Sequence, residues 1–131
     1  MGLSHGTVRF ERIYDARLEQ VFADWKDPRA TTPWPYEQAD FRVGGRDICH
    51  CGHDGDLRFR VEVVYLDIVE NERIVFAETV SEAGRQLCAT LVSVAFRPNG
   101  AQTRLEVTCQ IAELAPGLVD GYRAGYWRLA E

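Results

Sequence analysis

The sequence predicts an α+β domain: an antiparallel sheet of about six or seven strands that buries one face against a C-terminal helix, with one or two short helices after the first strand. Three observations predict it. Strand-like alternation of apolar and polar residues runs through most of residues 38–112. Helical spacing occurs only near the two ends. Glycine-, asparagine- and aspartate-containing turns punctuate the middle.

The elements follow in order. Residues 7–14 alternate and are rich in β-branched and aromatic types, which reads as a first strand. Asp15 is placed to cap a helix on which Leu18, Val21, Phe22 and Trp25 share one face. Lys26-Asp27-Pro28 ends that helix, because proline cannot continue the hydrogen-bond ladder. Residues 30–35 read as a short helical turn and an extended link, with Trp34 packing back. Residues 40–43 read as a short strand and Gly44-Gly45 as a break. A further strand over 46–52 closes on Asp54-Gly55, a strong hairpin signal. A long strand over 57–69 carries Leu57, Phe59, Val61, Val63 and Tyr65 on one face. Strands over 73–80, 86–96 and 102–112 complete the sheet. Beyond Ala115-Pro116-Gly117 the period changes, and Leu118, Val119, Tyr122, Tyr126 and Leu129 recur at helical spacing. Gly121 and Gly125 cost that helix about 1 kcal/mol each relative to alanine. Their use is either to let the backbone approach the sheet or to leave room beside it.

Bulk properties bound the function. The chain has 131 residues, 46% of them apolar and 27% charged, a composition that fits one globular domain spanning residues 1–131. A net charge of -5 without any basic cluster argues against a nucleic-acid partner. No apolar run approaches the roughly 20 residues needed to span a bilayer, and the N-terminus carries no visible secretory signal. Cys49, Cys51, Cys88 and Cys109 are therefore expected as reduced thiols in a cytoplasmic protein.

The stretches 21–28 and 40–46, with Trp34 between them, resemble the opening of the activator of heat-shock-protein ATPase homologue family. So do 65–76, 91–96, 100–105 and the final 121–127. That family lies within the START-like, or SRPBCC, superfamily. The resemblance implies a helix-grip fold, in which the sheet curves around the C-terminal helix and leaves an apolar cavity between them. The sequence departs from that pattern at its end: its last helix, ending at Glu131, is shorter than is usual for such proteins, so a less complete lid over the cavity is expected.

The resemblance and the residues together suggest binding of a small, largely apolar molecule. Hydrophobic burial would supply most of the affinity, at roughly 25 cal/mol per Å². Trp34, Phe59, Tyr65, Leu91, Tyr122 and Tyr126 are the candidate wall. The run Cys49-His50-Cys51-Gly52-His53 concentrates soft ligands, and on a strand Cys49, Cys51 and His53 face one way. Same-face neighbours stand roughly 7 Å apart, so the run reads as thiols lining the sheet, with Cys49, Cys51 and His53 the residues to watch for a metal. Arg58, Arg60, Glu62, Glu78, Arg104 and Glu106 read as a solvated outer face. There is no nucleophile elbow, phosphate-cradling loop or zinc-protease pair, so no cofactor is expected and catalysis is disfavoured. Two alternatives remain: an enzyme acting on an aromatic or polyketide-like compound in the same cavity, or a chaperone-associated protein. Chaperone contact is not expected, because that role belongs to longer proteins with an additional domain. A homodimer is left open.

Overall fold

The computed structural model describes residues 2–53 and 55–129, with the side chain of His53 outside that description. The chain runs β1 (Ser4–Tyr14), α1 (Leu18–Lys26), α2 (Pro28–Thr31), β2 (Tyr36–Gln38), β3 (Arg46–His53), β4 (Asp56–Val69), β5 (Arg73–Glu82), β6 (Arg85–Asn99), β7 (Gln102–Glu113) and α3 (Leu118–Ala124). A 3₁₀ turn at Trp127–Leu129 follows. The seven strands form one sheet in the order β1-β7-β6-β5-β4-β3-β2, each neighbouring pair antiparallel. The sheet curves around the C-terminal segment in the helix-grip manner.

Alternation sorts the two faces. Cross-strand partners share a face, so the pairs Cys49–Val61, Tyr65–Phe76, Val80–Cys88 and Val92–Cys109 place one continuous buried row on the concave side. The convex side carries Arg60 and Glu62, with ion pairs such as Arg104–Glu11 and Arg73–Asp67. Register shifts at Tyr65/Asp67 and Val80/Ser81 bend β4 and β5.

Several boundaries differ from the sequence reading, each for a local reason. Helix α1 begins at Leu18 with Arg17 as its cap residue and no side-chain cap, so Asp15 is not the cap. Residues 40–43 are not a strand. Gly45 N–H bonds Arg42 O, Asp40 N–H bonds Asp47 Oδ1, and the turn docks on the backbone of Tyr65 through Gly44 and Gly45. The short edge strand lies earlier, at Tyr36–Gln38. The final helix spans only seven residues and stops where Gly125 turns extended, so Tyr126 reaches the core from outside it. The Asp54-Gly55 hairpin falls partly outside the described residues.

The concave face is covered in two halves. At one end α1 lays Phe22 and Trp25 on Phe96, and edge-to-face contacts continue through Phe41, Tyr65 and Phe76. This end is packed mainly by aromatic side chains. At the other end α3 lies against β1 and β7. Gly6 permits that approach, since a Cβ there would stand 2.6 Å from Val119 Cγ1. Gly6→Ala should therefore destabilise the fold by about 1–3 kcal/mol through overpacking. The double variant Gly6→Ala/Val119→Ala should recover most of the loss; equilibrium denaturation of the three proteins measures both.

Candidate functional site

The centre of the concave face holds a carboxylate. Glu78 lies on β5 in phase with Ile74, Phe76 and Val80, and has no exposed surface. A buried carboxylate needs donors, and here they come from the chain's last turns. Tyr122 Oη–H donates to Oε2 at 2.5 Å; Tyr126 Oη–H and Trp127 Nε1–H donate to Oε1 at 2.8 and 2.7 Å. Tyr122 Oη in turn accepts from Thr90 Oγ1 at 3.2 Å and lies 3.7 Å from Cys88 Sγ. Burial pushes the Glu78 carboxyl above its ordinary range, and the three donors pull the other way.

A second buried charge secures the same segment. Arg128 Nη2 donates to Trp25 O at 3.1 Å and Nη1 to Tyr65 Oη at 3.3 Å, with the guanidinium 4.4 Å from the centroid of a Trp25 ring. Tyr65 Oη–H donates to the buried Asp47 at 2.5 Å. The segment 122–128 is thus held by polar contacts at both ends of the sheet's hollow.

A groove lies open beside that segment. One lobe, of about 330 Å³, has Cys51, Phe59, Val61, Val80 and Leu87 on the sheet side and Leu118, Gly121, Tyr122, Gly125, Tyr126 and Trp127 opposite. A second, of about 320 Å³, continues past Tyr126 and Trp127 to Trp34, Gly52, Leu129 and Arg12. Cys51, Phe59 and Gly125 border both. A Cβ on Gly121 or Gly125 would meet nothing within 4 Å. Of the two uses read for these glycines, room beside the helix is the one realised.

The candidate wall residues divide accordingly. Trp34, Phe59, Tyr122 and Tyr126 come together around the groove. Tyr65 is 1% exposed in the closed half and touches neither lobe. Leu91 is 39% exposed and pairs with Ala77 and Gln110 on the convex face; it belongs to the opposite side of the sheet, because β6 points Val92, not Leu91, inward. Among the six ionisable strand residues Glu78 is the correction. Its phase with Ile74, Phe76 and Val80 was the signal, and composition masked it.

The thiols face the concave side. Burial raises Cys49 and Cys109 to about 12, Cys51 to about 11, and Cys88 above its ordinary value. Among the described residues no three His, Cys, Asp or Glu side chains are grouped to hold a metal. His50 points away from Cys49 and Cys51 and meets Glu37 Oε1 at 2.7 Å; the His53 side chain is outside the described residues.

Glu78→Ala leaves three buried donors without an acceptor and should cost about 3–5 kcal/mol, read by denaturation. Because the folded pKa of Glu78 is raised, its stability contribution is fullest below the unfolded carboxyl value. It is lost as pH climbs through the folded pKa. The stability of wild type relative to Glu78→Gln should therefore fall with rising pH above about 4.3 and then level off. For the thiols, labelling by a maleimide at pH 8 should be slow in the folded protein. Cys51, on the groove, should react first, as peptide mass mapping would report.

Comparison with known proteins agrees with this architecture. Protein Mll3558 from Rhizobium loti is 27% identical, with 95% of this chain and 94% of that one aligned at a TM-score of 0.80. An uncharacterised protein from Rhizobium leguminosarum is 26% identical over 94% of this chain and 87% of its own, at 0.79. DynU16, from the dynemicin biosynthetic locus, shares the fold at 17% identity and a TM-score of 0.71, over 91% of this chain and 42% of its own. No curated protein matches the chain. No helix among the described residues is long and apolar enough to cross a membrane. The family model for "Activator of Hsp90 ATPase homolog 1-like protein" matches residues 15–128, and the chain belongs to that family, within the START-like, helix-grip superfamily.

Proposed function

We propose that this protein binds a small, largely apolar molecule in the groove between β3–β5 and the C-terminal segment. Family and fold are compatible with such a role. The observation that carries it is the lobe under Gly121 and Gly125, where an otherwise buried apolar row of the sheet meets open space instead of side chains. Lobes of about 320 and 330 Å³ lie at the lower end of the size range of small-molecule sites. The groove is open to solvent, so a ligand would be covered on the sheet and helix sides and reached from the flank.

A second reading, catalysis on an aromatic or polyketide-like compound, has one feature in its favour: the buried carboxylate of Glu78. Its oxygens are taken by Tyr122, Tyr126 and Trp127, and it borders neither lobe, so binding ranks first. A chaperone-associated role rests on the family's name alone.

Trp34 and Trp127 border the groove, so intrinsic fluorescence is a direct readout. Titration with decan-1-ol should give a saturable change in the wild-type protein. Gly121→Leu, which places a side chain into the open lobe, should weaken that response at least about tenfold with the circular dichroism spectrum unchanged. A wild-type response that fails to saturate, or one that the leucine leaves intact, would overturn the reading.

A further inference from the structure

The ligand class can be narrowed from the polar inventory of the groove, an argument that rests on the reading just given. Tyr122 and Tyr126 present their rings to the groove, but both hydroxyls turn inward to Glu78. Trp127 Nε1–H is spent on the same carboxylate, and Trp34 Nε1–H donates to Trp127 O at 3.4 Å. The backbone N–H of Gly125 bonds the carbonyls of Gly121 and Tyr122. Cys51 is a neutral thiol. Among the described residues the lobe bounded by Leu87 and Leu118 has no charged side chain on its wall. The other has one, Arg12.

Arg12 reaches the concave side by register. Val8, Phe10 and Arg12 of β1 pair with Cys109, Val107 and Leu105, all buried on that face. Phe10 stacks on Tyr126, with ring centroids 6.1 Å apart, and the Arg12 guanidinium lies 5.9 Å from the Phe10 ring. Its hydrogen bond runs from Nη1 to Glu11 O at 3.0 Å. Among the described residues no carboxylate lies within ion-pair distance of it. Arg104, on the convex face of the same end of the sheet, is by contrast paired with Glu11. A guanidinium carries five donors in a fixed fork that matches a carboxylate. One without an acid, at the end of an otherwise apolar groove, is complementary to an anionic head on an apolar body.

We propose that the groove takes an amphipathic monocarboxylate, its acid group on Arg12 and its apolar body lying past Trp127 and Phe59 toward the lobe under Gly121. The uncharged end would meet a mostly apolar wall, and the charged end would meet the one free cation on the described wall.

The test compares three probes of equal chain length, decanoate, decan-1-ol and decylamine, on wild type and on Arg12→Gln by tryptophan fluorescence at pH 7.5. Wild type should bind decanoate about tenfold more tightly than decan-1-ol and should bind decylamine most weakly. Arg12→Gln should remove the preference for the acid and leave decan-1-ol affinity within about twofold. If the alcohol and the acid bind wild type equally, or the variant retains the preference, the head-group assignment is overturned while the apolar groove stands. If none of the three saturates, both fall. Arg12→Lys separates charge from fork geometry. Partial retention of the acid preference is expected of it, and retention by Lys but not Gln supports a direct contact over a structural role for the position.

Discussion

The hydrogen bonds that Glu78 receives from Tyr122, Tyr126 and Trp127 determine how the rest of the concave face is built. Helix α3 has only seven residues and includes Gly121, so it has neither the length nor the composition to be stable alone. Its place across the sheet must come from tertiary contacts. An unpaired carboxylate at the middle of an apolar sheet would cost several kcal/mol, and only the final segment supplies its donors. Strand β5 and the last turns therefore require each other. Arg128 extends the same logic to the other end, where it joins Trp25 of α1 to Tyr65 and, through that hydroxyl, to Asp47.

A segment positioned by polar anchors does not have to fill the space beside it. In the half under α1 the cover is mostly apolar, and Phe22, Trp25, Phe96, Phe76, Tyr65 and Phe41 pack edge to face beneath it. In the half under α3 the tyrosines are committed to Glu78, and the residues that would otherwise occupy the flank are glycines. The groove survives because directional bonds, rather than maximal burial, fix the helix. Well-packed interiors leave few voids larger than a water molecule, so an apolar hollow of this size at the junction needs such a cause.

The sheet was largely legible in the sequence because its signal is local. The alternation in residues 57–65, 86–96 and 102–112 fixes both strand and face, and the turns at 70–72 and 98–100 fix where each hairpin reverses. The family resemblance gave the curvature and the position of the last helix. The failures have physical causes. Residues 40–43 alternate like a strand but spend their hydrogen bonds on a turn anchored by Asp47 and Tyr65, a long-range event. The end of α3 at Gly125 is set by the reach of Tyr126 and Trp127 to Glu78, not by propensity. Leu91 was placed by its hydrophobicity, yet the phase of β6 puts Val92 inward. Glu78 was misplaced by the opposite error, in which charge outweighed a phase that pointed inward. In both cases the period was the better guide than the residue type.

The same inventory bears on binding against chemistry. A catalytic carboxylate must have an oxygen free for the substrate, within hydrogen-bond reach of the proton it moves. Both oxygens of Glu78 are occupied, and the hydroxyls that could relay a proton to the groove point away from it. The thiols, held neutral by burial, are poor nucleophiles. Among the described residues the groove wall is mostly apolar, with one charged side chain, Arg12, at its end. Such a surface is suited to distinguishing molecules by size, apolarity and head-group charge. On the proposed reading, this arrangement serves to select a ligand, and the charge at Arg12 is the feature on which selectivity would turn.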